Sequence, residues 1–246
     1  TRDLDYQNEE GEPWRFRLFD TAGLRRHKKI ADSLEYFSSL RTEQAIEETD
    51  VALLVLDARE GVSKQDKILA GRIVEAGKAL VVVVNKWDIA VEGFRRDPLS
   101  GYDDETDFRE KYEKAARKEL FVLPRFPMSF VSAKSGLAIG DMLADVRRVD
   151  QGLDRFLPTP ELNRSIINMM ESRPPAARKG KRFKVFYAVQ TSTRPFTIRL
   201  FCNRTDRLED VYKRYLSNGL TTRFDLLGAP LRFTLTGKEA RYAKKN

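Results

Sequence analysis

Two uninterrupted apolar runs constrain this chain more than anything else in it: Val51 to Leu56, ending on Asp57, and Leu80 to Val84, ending on Asn85. A strand can be apolar at every position only when both of its faces are covered, as parallel strands flanked by helices are. Lys64 to Ala76, lying between the runs, sets Ile68, Leu69, Ile73 and Val74 on one helical stripe. Further on, the pattern predicts a helix over Phe108 to Leu120, a strand over Met128 to Val131 and a long amphipathic helix over Leu137 to Phe156. Strand alternating with helix in this way predicts an α/β domain built on a mostly parallel sheet. Ahead of the first run, Trp14 to Asp20 reads as a strand with Leu4 to Gln7 as its hairpin partner, and Ser33 to Glu48 as a helix. Val91 to Asp107, rich in acids and broken by glycine and proline, reads as a surface insertion.

The pattern changes around Pro158 and Pro160, which places a domain boundary at 157/158. Beyond it the predicted order is a helix (Glu161 to Met170), two strands (Phe183 to Gln190, Phe196 to Asn203), a helix (Leu208 to Ser217) and a strand (Leu231 to Leu235). Phe183, Val185, Tyr187 and Val189 alternate as a strand does; Phe183 and Tyr187 could be stacking platforms but are read as core, and Cys202 reads as a small core residue. Charge divides along the same line. Residues 172–246 hold 18 Lys and Arg against 5 Asp and Glu, leaving 27 against 32 in the first 171. A basic segment of this density concentrates polyanions and points to nucleic acid. The longest apolar run is too short to cross a membrane. One cysteine allows no internal disulfide, so a reducing, cytoplasmic setting is expected.

Three short motifs follow three of the predicted strands: Asp20-Thr21-Ala22-Gly23, Asn85-Lys86-Trp87-Asp88 and Ser132-Ala133-Lys134. Ligands of open parallel sheets bind beyond the carboxyl ends of the strands. Any one motif alone is weak, and three in this order are not. Asp20 offers a carboxylate to Mg²⁺, through water, and Gly23 lets a backbone N–H approach a terminal phosphate. Asp88 presents two acceptors at the spacing of the N1 and N2 donors of guanine, a pair that adenine lacks. Asn85 can donate to the base and tie the loop together. The stems of Lys86 and Lys134 can cover the two faces of the ring, and the Ala133 amide can reach its O6. Trp87 is expected to pack beneath the loop.

These motifs resemble those of the translation-factor-like GTPases. The fuller string, with Thr1-Arg2-Asp3, Asp20 through Leu24 and Arg25, Val81 to Asp88, Arg182 to Tyr187 and Gly237-Lys238, resembles the second GTPase domain and KH-like domain of the EngA/Der tandem GTPase family. That resemblance implies a G domain of the P-loop NTPase type with an incomplete sheet (1–157), then a small α+β KH-like domain (158–246). It also implies GTP and GDP as ligands, hydrolysis of GTP to GDP and phosphate, Mg²⁺ with K⁺ as a further ion, and an upstream first GTPase domain. The implied partner is ribosomal RNA of the large subunit during its assembly.

Two departures qualify the expectation. Nothing in the chain matches G-x-x-x-x-G-K-[ST], so the phosphate loop is expected to lie before Thr1, and the chain alone is expected to be inactive. Thr1 is the nearest candidate for a first-switch threonine and metal ligand. Leu24 stands where many GTPases place a water-orienting glutamine, so Gly23 and Thr1 are the remaining switch candidates. His27, among Arg25 and Arg26, reads as an exposed loop residue. The basic segment lacks the G-x-x-G clamp of RNA-binding KH domains. Its RNA-facing candidates are Arg178, Lys179, Lys181, Arg182, Lys238, Arg241, Lys244 and Lys245. The competing readings are a non-catalytic RNA-binding module with a scaffold G domain, and a tRNA-modification GTPase.

Overall fold

The computed structural model describes residues 1–8, 10–20, 43–97, 100–121, 124–177, 182–203 and 208–237. The chain divides into two compact units, Thr1–Val122 with Pro127–Arg148, and Leu123–Phe126 with Val149–Asn246.

In the first unit, β3 (Val51–Asp57), β4 (Ala79–Asn85) and β5 (Met128–Phe130) form a parallel sheet in the order β3-β4-β5. The center strand, β4, is buried at every apolar position. β3 is not. Leu54 and Leu56 are buried, while Leu53 and Val55 on the opposite face are 37% and 47% exposed. The expectation that both faces of β3 are covered is therefore corrected: among the described residues it has a strand on one edge only, and nothing described covers its outer face.

Helix α1 (Lys64–Glu75) joins β3 to β4 and starts at a capping box, in which Ser63 Oγ accepts from the Asp66 amide and Asp66 Oδ2 accepts from the Ser63 amide. It buries Asp66, Ala70 and Ile73 and leaves Ile68 exposed, so the apolar stripe lies rotated from the predicted one. Residues 91–96, read as part of an insertion, belong to helix α2 (Trp87–Arg96). Its buried Trp87 and Phe94 supply the packing that Gly93 and the surrounding acids concealed. Helix α3 (Glu105–Glu119) is capped by Asp104, whose side chain accepts from the Asp107 amide. Helix α4 (Ile139–Leu153) follows β5. Residues 43–48 are helical, and the remainder of the predicted helix from Ser33 lies outside the described residues. β1 (Arg2–Gln7) and β2 (Pro13–Leu18) form an antiparallel hairpin. Among the described residues no strand joins it to β3.

In the second unit, α5 (Thr159–Ser172), β6 (Val185–Thr193), β7 (Phe196–Cys202), α6 (Asp210–Phe224) and β8 (Arg232–Gly237) follow in the predicted order. β6 pairs antiparallel to β7, and β7 parallel to β8. Leu162 and Ile166 of α5, Ile198 and Leu200 of β7, and Leu216 and Leu220 of α6 are fully buried. Asn163 of α5 both donates to the Ala188 carbonyl at 2.8 Å and accepts from its amide at 2.7 Å, closing a backbone edge that would otherwise be open. Tyr212 and Tyr215 of α6 donate to the Arg173 and Met169 carbonyls at the end of α5, serving acceptors that a helix terminus leaves over. Burial pushes the Tyr212 phenol up to about 12. Tyr187, read as core, is exposed. A register shift between Val185 and Tyr187 rotates β6, so that Ala188 and Gln190 face inward instead. Among the described residues no helix is long and apolar enough to cross a membrane.

Candidate functional site

The register of the parallel sheet brings two strand ends together, for Asp57 of β3 stands opposite Asn85 of β4. Chain segments at this edge are then sewn to one another by backbone bonds. The Ala58 amide donates to the Asn85 carbonyl at 2.9 Å, the Trp87 amide to Val131 at 3.0 Å, and the Val131 amide to Val84 at 2.8 Å. The turn between β4 and α2 is made at Lys86, which adopts left-handed backbone angles (φ 64°, ψ 31°). A non-glycine residue held there carries strain, typically about 1–3 kcal/mol, that its surroundings must offset.

Three contacts supply that offset. Asn85 Oδ1 accepts from the Lys86 amide at 2.8 Å and from the Ala133 amide at 3.0 Å, joining the second motif to the third. Lys86 Nζ donates to Asp57 Oδ2 at 2.6 Å. Asp57 is buried and also receives the Arg59 side chain (Nη2 at 3.1 Å) and the Arg59 amide (3.0 Å). The Arg59 hydrogen bond, aided by Lys86, holds the Asp57 carboxyl well below the usual carboxylate range despite its burial. Asp57 was absent from the sequence-derived site. Its position as the polar terminus of an apolar run was the available signal, but its pairing with Lys86 depends on strand register.

Trp87 is buried and anchors the loop from below. Its ring stacks on Phe108 at 5.3 Å and meets Phe130 edge-on at 4.5 Å, with Tyr112 also edge-on at 5.4 Å. Asp88 lies in the first turn of α2. Its Oδ1 is buried with no hydrogen-bond partner. An unmet buried acceptor costs about 1–3 kcal/mol, more when charged, so a water, an ion or a ligand that donates to it would be favoured there. Ser132 is buried, with Oγ accepting from the Ser135 amide at 3.3 Å, while Ala133 and Lys134 are exposed. The Ala133 amide is engaged by Asn85, so a ring oxygen would have to share or displace that bond.

The first motif is not joined to this edge by strand pairing among the described residues. Asp20 is exposed, two residues beyond β2, and Thr21, Ala22, Gly23 and Leu24 lie outside the described residues, as does His27. Thr1 is exposed at the start of the hairpin. Among the described residues no three acidic, histidine or cysteine side chains cluster as metal ligands. A magnesium ion held through water by one carboxylate and by phosphate oxygens would need no such cluster. Of the basic candidates, Arg182 is exposed, and Arg178, Lys179, Lys181, Lys238, Arg241, Lys244 and Lys245 lie outside the described residues.

A parallel sheet whose strand ends carry an orphaned acidic acceptor, a bridging asparagine and a serine-alanine-lysine turn is the form of a guanine-nucleotide domain. In keeping with this, residues 35–170 match the family model of the elongation factor Tu GTP binding domain. Residues 157–236 match the KH-domain-like model of EngA bacterial GTPase enzymes, C-terminal. The chain belongs to the EngA/Der family of GTPases. It is 39% identical over 224 residues to GTPase Der of Desulforudis audaxviator, covering 91% of this chain and 48% of that protein. With GTPase Der of Alkaliphilus oremlandii it is 40% identical over 227 residues, covering 92% and 49%. The chain thus spans about half the length of the curated relatives it matches. Among solved structures, an Aquifex aeolicus Era variant bound to GDP and AlF4⁻ covers 88% of this chain and 75% of its own, at 15% identity and a TM-score of 0.38.

Proposed function

We propose that this chain belongs to a GTP-hydrolysing switch in assembly of the large ribosomal subunit, with Asn85, Lys86, Asp88 and Ala133 reading the guanine ring and the basic KH-like domain facing ribosomal RNA. The observation that carries the reading is the buried, partnerless Oδ1 of Asp88 beside a loop already locked in shape. Guanine offers two adjacent N–H donors to such a carboxylate, and adenine leaves it unmatched. Asn85 and the Lys86–Asp57 pair hold the loop, so little ordering cost falls on binding. Trp87 supports the loop from inside rather than touching the ligand.

When bound, Mg²⁺ would neutralise phosphate charge, with Asp20 as its protein-side carboxylate. In the intact protein, Asp88→Asn should weaken GDP binding at least about 100-fold and favour xanthosine diphosphate, whose ring oxygen suits an amide donor. Unchanged guanine preference would end the assignment. Hydrolysis measured in potassium and in sodium chloride tests the expected ion. RNA binding without any hydrolysis would favour the scaffold reading instead.

A further inference from the structure

We propose that the outward face of the β6-β7-β8 sheet is a stacking platform for unpaired bases of single-stranded RNA. This rests on the reading that the basic domain faces RNA, and it assigns a surface and a mode of contact. The inward face of the sheet buries Ile198, Leu200 and Cys202. The alternate positions of β7 therefore point outward, and register places Tyr187 beside Phe201 and Thr234 beside Arg199.

Tyr187 is 40% exposed, its ring centroid 5.9 Å from that of Phe201 with the planes tilted by 44°. Arg199 is exposed and has no acidic partner among the described residues. It stands two residues from Phe201 on the same face, about 7 Å along the strand. A base lying on the Tyr187–Phe201 pair would set its phosphate within reach of that guanidinium.

The chemistry of the sheet selects the partner. No Asp or Glu occurs anywhere in β6, β7 or β8, and the strands lie in the segment with 18 basic against 5 acidic residues. Rings, an arginine with no acidic partner among the described residues, and threonine hydroxyls on strands without any acid suit a polyanion with exposed flat rings. Single strands offer such rings, whereas a duplex keeps its bases stacked inside. A platform of this kind needs no G-x-x-G clamp, which residues 172–246 lack.

The test is fluorescence anisotropy of the whole chain with a labelled ten-nucleotide single-stranded oligoadenylate and with an RNA duplex of equal length. Tyr187→Ala should weaken single-strand binding by about 5- to 100-fold and leave duplex binding unchanged, and Tyr187→Phe should restore it. Arg199→Ala should lower the slope of log affinity against log salt by about 0.7. Equal affinity in wild type, Y187A and R199A would overturn the platform and leave the face to a protein partner. Equal losses on single strand and duplex would also overturn it, because stacking would then play no part. Failure of the wild-type chain to bind either RNA would sink the RNA-facing reading as well, so the two failures are distinguishable.

Discussion

Asp57 decides how Lys86 is held, and its consequences can be measured without any nucleotide. The carboxylate accepts from Lys86 Nζ and from the Arg59 side chain and amide, all while buried. Asp57→Asn keeps the volume and removes the charge. It should cost about 1.5–3 kcal/mol near neutral pH, read from denaturant unfolding followed by tryptophan fluorescence. Because the folded carboxyl titrates below the unfolded one, its contribution is fully present above the ordinary aspartate range, near pH 4, and is lost as pH falls through the depressed folded value. The gap between wild type and Asp57→Asn should therefore narrow with acidification below about pH 4; a constant gap would argue that Lys86 is held by other means. That Asn85 ties the loop together was legible in the sequence, because its partners lie in two short motifs that follow strand ends. Asp57 was not, because its pairing joins positions that only the β3–β4 register brings together.

Helix α2 shows how an element escapes a pattern-based reading. Its buried face consists of Trp87 and Phe94, and both need rings from α3 and β5 to form a core. Phe94 stacks on Phe108 at 4.8 Å, and Phe108 on Trp87 at 5.3 Å, so three rings form one column under the loop that follows β4. Phe94→Ala should destabilise the first unit by about 3–5 kcal/mol, seen as a lower denaturant midpoint. A loss below about 1 kcal/mol would mean that the column adjusts freely. β4 was readable because every one of its apolar residues is buried. β3 looked the same in sequence yet exposes Leu53 and Val55, since an apolar run reports propensity and not which faces are covered. Tyr187 was misread because one bulge changes which residues of β6 face inward, and alternation alone carries no sign of it.

At the scale of the molecule, the two units carry separate natural reporters. The chain has two tryptophans, Trp14 and Trp87, both in the first unit, and one cysteine, Cys202, buried in the second. Tryptophan fluorescence should follow unfolding of the first unit, and thiol labelling the opening of the second. Phe94→Ala should shift the fluorescence transition and leave the labelling rate of Cys202 unchanged; parallel changes in both would show that the units unfold as one. The Asn85–Asp88 loop is the direct continuation of β4, whose apolar residues are all buried. Its anchorage leaves little give in the loop that the proposed reading sets against the guanine ring. On the proposed reading, diphosphate and triphosphate forms of a guanine nucleotide would present the same ring to the same rigid seat, so that end would report which base has arrived and never how many phosphates it carries.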